Sequence, residues 1–272
     1  MIDNAPLLQV KHLTSTYHID KMLFFKKTIE ALHDINFTLE RGQILAVTGE
    51  AGSGKSTLLR IINGSEQQNL KGEVLFCGKP LHDYERQDRV GFVRMFYPKP
   101  ETSLNPSLRV EGILDLPLRL NTSLSYEDRQ KKINETLNYV GLSAGLRHYY
   151  PIMLSRSQLL RLSLARALIL DPQILLVDAI IERMDLQLRA HFINLFLELP
   201  KNRGTSVIIS LNNLDLINHI ADQMLILDRG HQAEWGSVSR VLVAPSSETG
   251  KRILQCDKHE YRSLIVQYQE NN

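Results

Sequence analysis

Cysteine is scarce in this 272-residue chain: Cys77 and Cys256 are its only two, far apart and without the spacing of a metal site. That pattern excludes a disulfide-stapled scaffold or a thiolate zinc centre and fits a reducing compartment. Long apolar runs are missing too. No window approaches eighteen uninterrupted apolar residues, so no segment is expected to cross a membrane, although docking onto one stays open. The opening stretch MIDNAPLLQV has neither a basic n-region nor an apolar h-region, and the expected location is the cytoplasm. Charge of one sign is lacking as well. A formal net charge of +2 supplies no broad field to draw nucleic acid, and no local basic patch stands out. With no low-complexity tract and no fixed-period repeat, what is left is a globular composition, 43% hydrophobic, able to bury a substantial core. The length suits one large α/β unit or a core with a subdomain.

What is present is an ordered alternation of elements. Residues 7 to 48 alternate as strands do, through LLQVKHL and IEALHDINFTL, and end in the dense apolar run ILAVT, which reads as a buried strand. GEAGSGKSTLLRIING follows, glycines first and then apolar positions at helical spacing. A further strand pair lies around GEVLFCGKPL. Beyond VGFVRMFYPKPETSLNP comes a block of mostly helical pattern, with EGILDLPLRL and SYEDRQKKINETLNYVGL, which reads as a helical subdomain inserted into the sheet. SQLLRLSLARALIL is amphipathic and stops at Asp171-Pro172, ILLVD is a strand, LQLRAHFINLFLEL a helix and SVIIS a strand. This alternation predicts a parallel core sheet.

Gly49 to Ser56, GEAGSGKS, matches the phosphate-loop pattern G-x-x-x-x-G-K-[ST] after a strand and before a helix. The pattern encodes backbone geometry. Gly49, Gly52 and Gly54 allow successive N–H groups, with those of Glu50, Ala51 and Ser53, to curl around phosphate oxygens. The helix N-terminus at Lys55, Ser56 and Thr57 adds its dipole, Lys55 reaches the terminal phosphates and Ser56 ligates magnesium. Asp178, ending the ILLV strand, is the expected partner of that ion through water, because P-loop proteins hold it with a strand-end aspartate. ATP and Mg2+ are therefore the expected cofactors. A GTPase reading rests on SLNNLD, which faintly resembles an Asn-Lys-x-Asp guanine reader, but DAII stands where that class needs Asp-x-x-Gly.

A second phosphate-type element, LSRSQ at 154–158, opens the helix shortly before ILLVD. The order of phosphate loop, helical insertion, LSGGQ-like signature, RLSLARALILDP, Asp-ended strand and a D-loop at ERMD resembles an ABC-transporter ATP-binding subunit over nearly the whole chain. TSLNP, LPLRLNTSLS, YYPIMLS and HIADQMLILDRG resemble its oligopeptide- and dipeptide-importer branch.

The resemblance assigns further residues. Tyr17 matches the aromatic that stacks on adenine. Ser155, Arg156, Ser157 and Gln158 stand in the signature that faces the partner's ATP, with Arg156 and Ser157 replacing two glycines. Pro98 falls where the family has a loop glutamine, Ala179 where it has the glutamate that polarises the attacking water, and Asn212 where it has the switch histidine. A methyl group accepts no proton and asparagine gains no charge, so binding groups survive while hydrolysis groups are missing. Glu182, in the D-loop, and His219, on a helix, are not expected to replace them.

The resemblance implies a P-loop NTPase fold of the α/β class with an early antiparallel β region and an inserted helical subdomain at about 107–165, within one ATP-binding domain over 1–245 and a C-terminal extension over 246–272. It implies a peptide-transport subunit, peripheral on the cytoplasmic face of the inner membrane, an ATPase by family whose own half-site turns over poorly. Its partners would be a second ATP-binding subunit, two membrane-spanning permease subunits and, indirectly, a periplasmic binding protein. The alternative is a non-hydrolysing regulatory nucleotide-binding subunit. Phe24-Phe25-Lys26-Lys27 is expected at a hairpin tip, and the tail beyond Gly236 carries no readable chemistry.

Overall fold

The computed structural model describes residues 5–21, 25–66, 69–80, 83–97, 99–179 and 181–256. Along the chain the elements run β1 (Leu8–Lys21), β2 (Phe25–Leu39), β3 (Ile44–Thr48), α1 (Lys55–Ile62), β4 (Leu70–Phe76), β5 (Lys79–Pro80), α2 (Arg86–Phe92), β6 (Val93–Phe96), α3 (Pro100–Ser103), α4 (Val110–Asn121) and α5 (Tyr126–Tyr139). They continue as α6 (Arg156–Leu168), β7 (Ile174–Val177), α7 (Leu186–Arg203), β8 (Ser206–Ser210), α8 (Leu214–Ile220), β9 (Gln223–Asp228), β10 (His231–Ser237), α9 (Val238–Val243) and α10 (Glu248–Cys256). The chain forms two compact units, one of residues 1–80 and 208–272, the other of residues 81–207.

The first unit is a sheet in the order β5-β4-β1-β2-β10-β9-β3, joined by residues 208–210 of β8. Its early half is antiparallel: β1 pairs with β2 and with β4, and β4 with β5. Near-alternating apolar residues produce this half, since Leu8, Val10 and Leu13 of β1 and Ile35, Phe37 and Leu39 of β2 are buried while their neighbours are more open. The other half is built on β3, buried at all five positions and parallel to β9. A strand flanked on both faces needs such a continuous apolar run, and each fully buried Ile, Leu or Val contributes about 1.5–3 kcal/mol. Leu58, Leu59, Ile61 and Ile62 give α1 its buried face. The pairing of β1 with β2 extends to Lys21 opposite Phe25, as a hairpin requires, while Phe24 lies outside the described residues.

In the second unit β6 runs parallel to β7, and all four residues of β7 are buried. Phe96 of β6 stacks on Phe192 of α7 at 5.4 Å between ring centres, and Phe196 meets both rings edge-on. Aromatic packing of this kind adds about 0.5–1.5 kcal/mol per pair to the buried area. The helical segment between β6 and β7 is tied by polar contacts. Arg129 of α5 donates to Asp115 of α4 at 2.7 Å, and Arg147 reaches Glu111 at 3.3 Å. Ser125 caps α5 by accepting from the Asp128 N–H. α7 runs three residues beyond Pro200 and stops at Gly204, whose φ of 65° closes the helix.

Candidate nucleotide-binding site

The site begins where β3 delivers the chain into Gly49 to Gly54. Gly49 has φ 142°, and a Cβ there would lie 2.1 Å from the Leu227 carbonyl oxygen. Gly54 has φ 104°, and its Cβ would meet Leu32 Cδ2 at 2.7 Å and the Ala31 oxygen at 2.8 Å. Both positions need glycine for backbone and for space. Gly54 is also the N-cap of α1, and no side chain caps it. The first-turn N–H groups of that helix, with its positive dipole end, form a donor set suited to phosphate oxygens. Lys55 donates to the carbonyls of Gly49 and of Glu50, the latter at 2.9 Å, and so lies along the loop it serves. Gly230, in the turn between β9 and β10, donates to the Ser53 carbonyl at 3.1 Å and props the loop from behind.

Other predicted residues belong to this unit. The Tyr17 hydroxyl donates to Thr57 Oγ1 at 3.5 Å, which sets the aromatic ring beside the first turn of α1. Leu211 donates to the Val47 carbonyl at 3.1 Å, bringing the neighbouring Asn212, exposed, to the sheet edge from which the loop departs. Asn213, not Asn212, caps α8, accepting from the Leu216 N–H at 2.8 Å. Ser56 is on the same first turn.

Asp178, Ala179 and the signature residues belong to the second unit. Asp178 follows the buried strand β7, as predicted, and Ala179 after it has φ 44°, the left-handed region that costs a residue with a Cβ about 1–2 kcal/mol. Glu182 sits in a short turn, Ile181–Arg183, and its carbonyl and that of Met184 just beyond accept from Arg189. Asp185 of the D-loop caps α7 through the Leu188 N–H. Ser155 and Gln158 form a reciprocal capping box at the start of α6, with Arg156 exposed between them. Pro98 lies outside the described residues.

One group carries no signal in the sequence. Glu234 of β10, 5% exposed, accepts from the N–H and hydroxyl of both Ser246 and Ser247. Burial opposes its ionisation, but these hydrogen bonds prevail and hold its carboxyl below the usual range. The Ser-Ser segment thus fixed leads into α10, whose Arg252 lies 3.3 Å from Glu50 of the loop and 3.5 Å from Asp228. No local motif announces any of these contacts.

Residues 32–181 match the sequence profile of the ABC transporter family. The putrescine export system ATP-binding protein SapF of Escherichia coli K12 is 42% identical over 248 residues, covering 91% of this chain and 92% of that protein. The peptide transport system ATP-binding protein SapF of Salmonella typhimurium is 41% identical over the same length. The dipeptide transport ATP-binding protein DppF of Escherichia coli K12 is 36% identical over 244 residues, 88% of this chain and 73% of that one. Among solved structures, the dimeric post-hydrolysis state of the ATP-binding cassette MJ0796 bound to ADP and phosphate superposes with a TM-score of 0.74 over 85% of this chain and 98% of that one, at 24% identity. The expected α/β P-loop fold is therefore the observed one.

Proposed function

We propose that this chain, which belongs to the ABC transporter family, is the ATP-binding subunit of a peptide transport system that grips Mg-ATP at Gly49 to Ser56 and hydrolyses it poorly there. The observation that carries the reading is the uncapped start of α1 behind two glycines that tolerate no side chain, with Lys55 lying along the loop. Such a cradle binds a triphosphate through backbone donors that do not depend on the groups missing elsewhere.

The binding side is assigned as follows. N–H groups from Glu50 to Thr57 hold phosphate oxygens, Lys55 neutralises the terminal phosphates, and the Tyr17 ring stacks on the base. Ser56 ligates the magnesium, and Asp178 is assigned to the same ion on sequence grounds alone. Magnesium held there would offset phosphate charge. On the reaction side, Ala179 and Asn212 offer no base and no titrating donor, and Pro98 offers no amide. The absence of general-base help lowers a rate by about 10²- to 10⁴-fold.

The reading extends to assembly. Two kinds of relative name different cargoes, putrescine and peptides, and the dipeptide transport protein favours peptide here. Ser155 to Gln158 would face ATP held by a second ATP-binding subunit, with two permease subunits in the membrane and a periplasmic binding protein beyond it. No helix among the described residues is long and apolar enough to cross a membrane; the peripheral place on its cytoplasmic face is assigned from the family resemblance.

The exposed Arg156 in place of a glycine favours a second reading, a regulatory subunit that binds nucleotide without joining a hydrolysing pair. Calorimetry of Mg-ATP binding and phosphate release by the purified chain test the first reading. Tight binding with little turnover is expected, and brisk turnover that survives Lys55→Ala would overturn it. Failure to co-purify with a second ATP-binding subunit and permeases would favour the regulatory alternative.

A further inference from the structure

Glu50 is the only acidic residue within Gly49 to Ser56, and a carboxylate in a loop built for a triphosphate works against it. Its partner comes from the far end of the chain. Arg252 of α10 places Nη2 at 3.3 Å from Glu50 Oε1 and at 3.5 Å from Asp228 Oδ2, at the end of β9. The helix that carries Arg252 is held firmly. Glu234 accepts from Ser246 and Ser247 just before it, and Thr249 donates to Asp228 at 2.8 Å. Gly250 lies against the Glu234 carboxylate so closely that a Cβ would stand 2.8 Å from Oε2. The same β9–β10 connection touches the phosphate loop through Gly230 and Ser53.

We propose that Arg252 is a positioning residue for triphosphate binding: it neutralises and fixes Glu50, so that docking of α10 on the β9–β10 hairpin sets the affinity of the phosphate loop. The proposal rests on the reading that Gly49 to Ser56 binds Mg-ATP. Arg252 acts through Glu50 and needs no contact with nucleotide. Its influence is electrostatic and local to the loop assigned to the terminal phosphates, so it acts on the triphosphate far more than on AMP, which lacks them, and added salt screens it. Because the pair is largely exposed, the effect is a modest one.

The test is calorimetry on the full chain with Mg-ATP and with AMP, in about 50 mM and about 500 mM salt, a range over which screening changes strongly. Arg252→Ala is expected to weaken Mg-ATP about two- to fivefold at low salt and less at high salt, as befits an exposed ion pair. Arg252→Lys should restore most of the loss. AMP affinity should move less than about twofold, and so should Mg-ATP affinity when Arg252→Ala is made in a Glu50→Gln background, since the charge to be cancelled is gone. An unchanged Mg-ATP affinity in Arg252→Ala overturns the proposal. An equal loss for AMP, or an equal loss in the Glu50→Gln background, overturns it too and marks Arg252 as structural. If the unaltered chain takes up no Mg-ATP, the nucleotide reading itself falls, a result that no variant is needed to see.

Discussion

Ser155 and Gln158 exchange two hydrogen bonds across the first turn of α6: the Gln158 N–H donates to Ser155 Oγ at 3.3 Å, and the Ser155 N–H donates to Gln158 Oε1 at 2.9 Å. Both belong to the signature that the resemblance assigns, and within this chain they cap the start of a helix. Seven residues of α6 are buried, so its start is fixed by both packing and capping.

Ser155→Ala is therefore expected to lower stability by about 1 kcal/mol, the usual cost of losing a Ser cap, and to lower the melting temperature by about 2–4 °C. Thermal denaturation of the isolated chain measures it. Ser155→Asp, which can also accept from the Gln158 N–H, should recover most of the loss. A Ser155→Ala chain that melts with the unaltered one would mean that the capping box contributes nothing.

Gly49 and Gly52 both have left-handed backbone, but their surroundings differ. A Cβ on Gly49 would lie 2.1 Å from the Leu227 oxygen, whereas nothing stands within 4 Å of one on Gly52. Gly49→Ala should cost about 3 kcal/mol or more and abolish Mg-ATP binding, since β9 or the loop must shift. Gly52→Ala should cost only the backbone strain, about 1–2 kcal/mol. Chemical denaturation of the two variants compares them directly, and equal losses would contradict the geometry.

How much could be read beforehand follows from where the information resides. The phosphate loop was legible because its chemistry is backbone chemistry and glycine writes backbone conformation into sequence: Gly49 and Gly54 occur where φ is positive and a Cβ has no room. The antiparallel β1–β2 pair and the buried strands β3 and β7 were legible from apolar period. Ser155 and Gln158 were recognised by type, but sequence could not reveal that they bond each other in preference to standing free. The contact of Arg252 with Glu50 was not legible, because an exposed arginine in a short helix has no pattern distinguishing it from any solvated cation. Glu234 was missed for the opposite reason: a glutamate in a strand of mixed character gives no sign that four donors from two serines will bury it.

That buried carboxylate makes a pH prediction. Glu234 titrates below its ordinary value of 4.5 in the folded chain, held there by Ser246 and Ser247 against the opposing effect of burial. Its contribution is thus fully present above about pH 4.5, the value of the unfolded chain, and disappears as the pH falls through the lower folded value. Glu234→Gln, whose amide N–H₂ would face hydroxyl and N–H donors, should destabilise by about 2 kcal/mol near pH 7. The difference between the two chains should hold from pH 7 to about 5 and shrink below 4.5. Urea titrations across that range decide the matter; a difference that grows towards acid would have the wrong sign.

Ala179 already occupies left-handed backbone at φ 44°, so the strain of a Cβ there is present in the native chain. Glutamate at this position introduces no further backbone cost, and Ala179→Glu is expected to change stability by less than about 1 kcal/mol. It places a carboxylate next to Asp178, at the position that the resemblance matches to the family's base. Lys55-dependent phosphate release should rise by about tenfold or more, short of the full 10²- to 10⁴-fold value of a general base because Pro98 and Asn212 are unchanged. Adding Asn212→His should raise it again, and Lys55→Ala should abolish the gain. No rise in the single or the double variant would mean that these side chains do not limit turnover, and the proposed separation of binding from hydrolysis would fall.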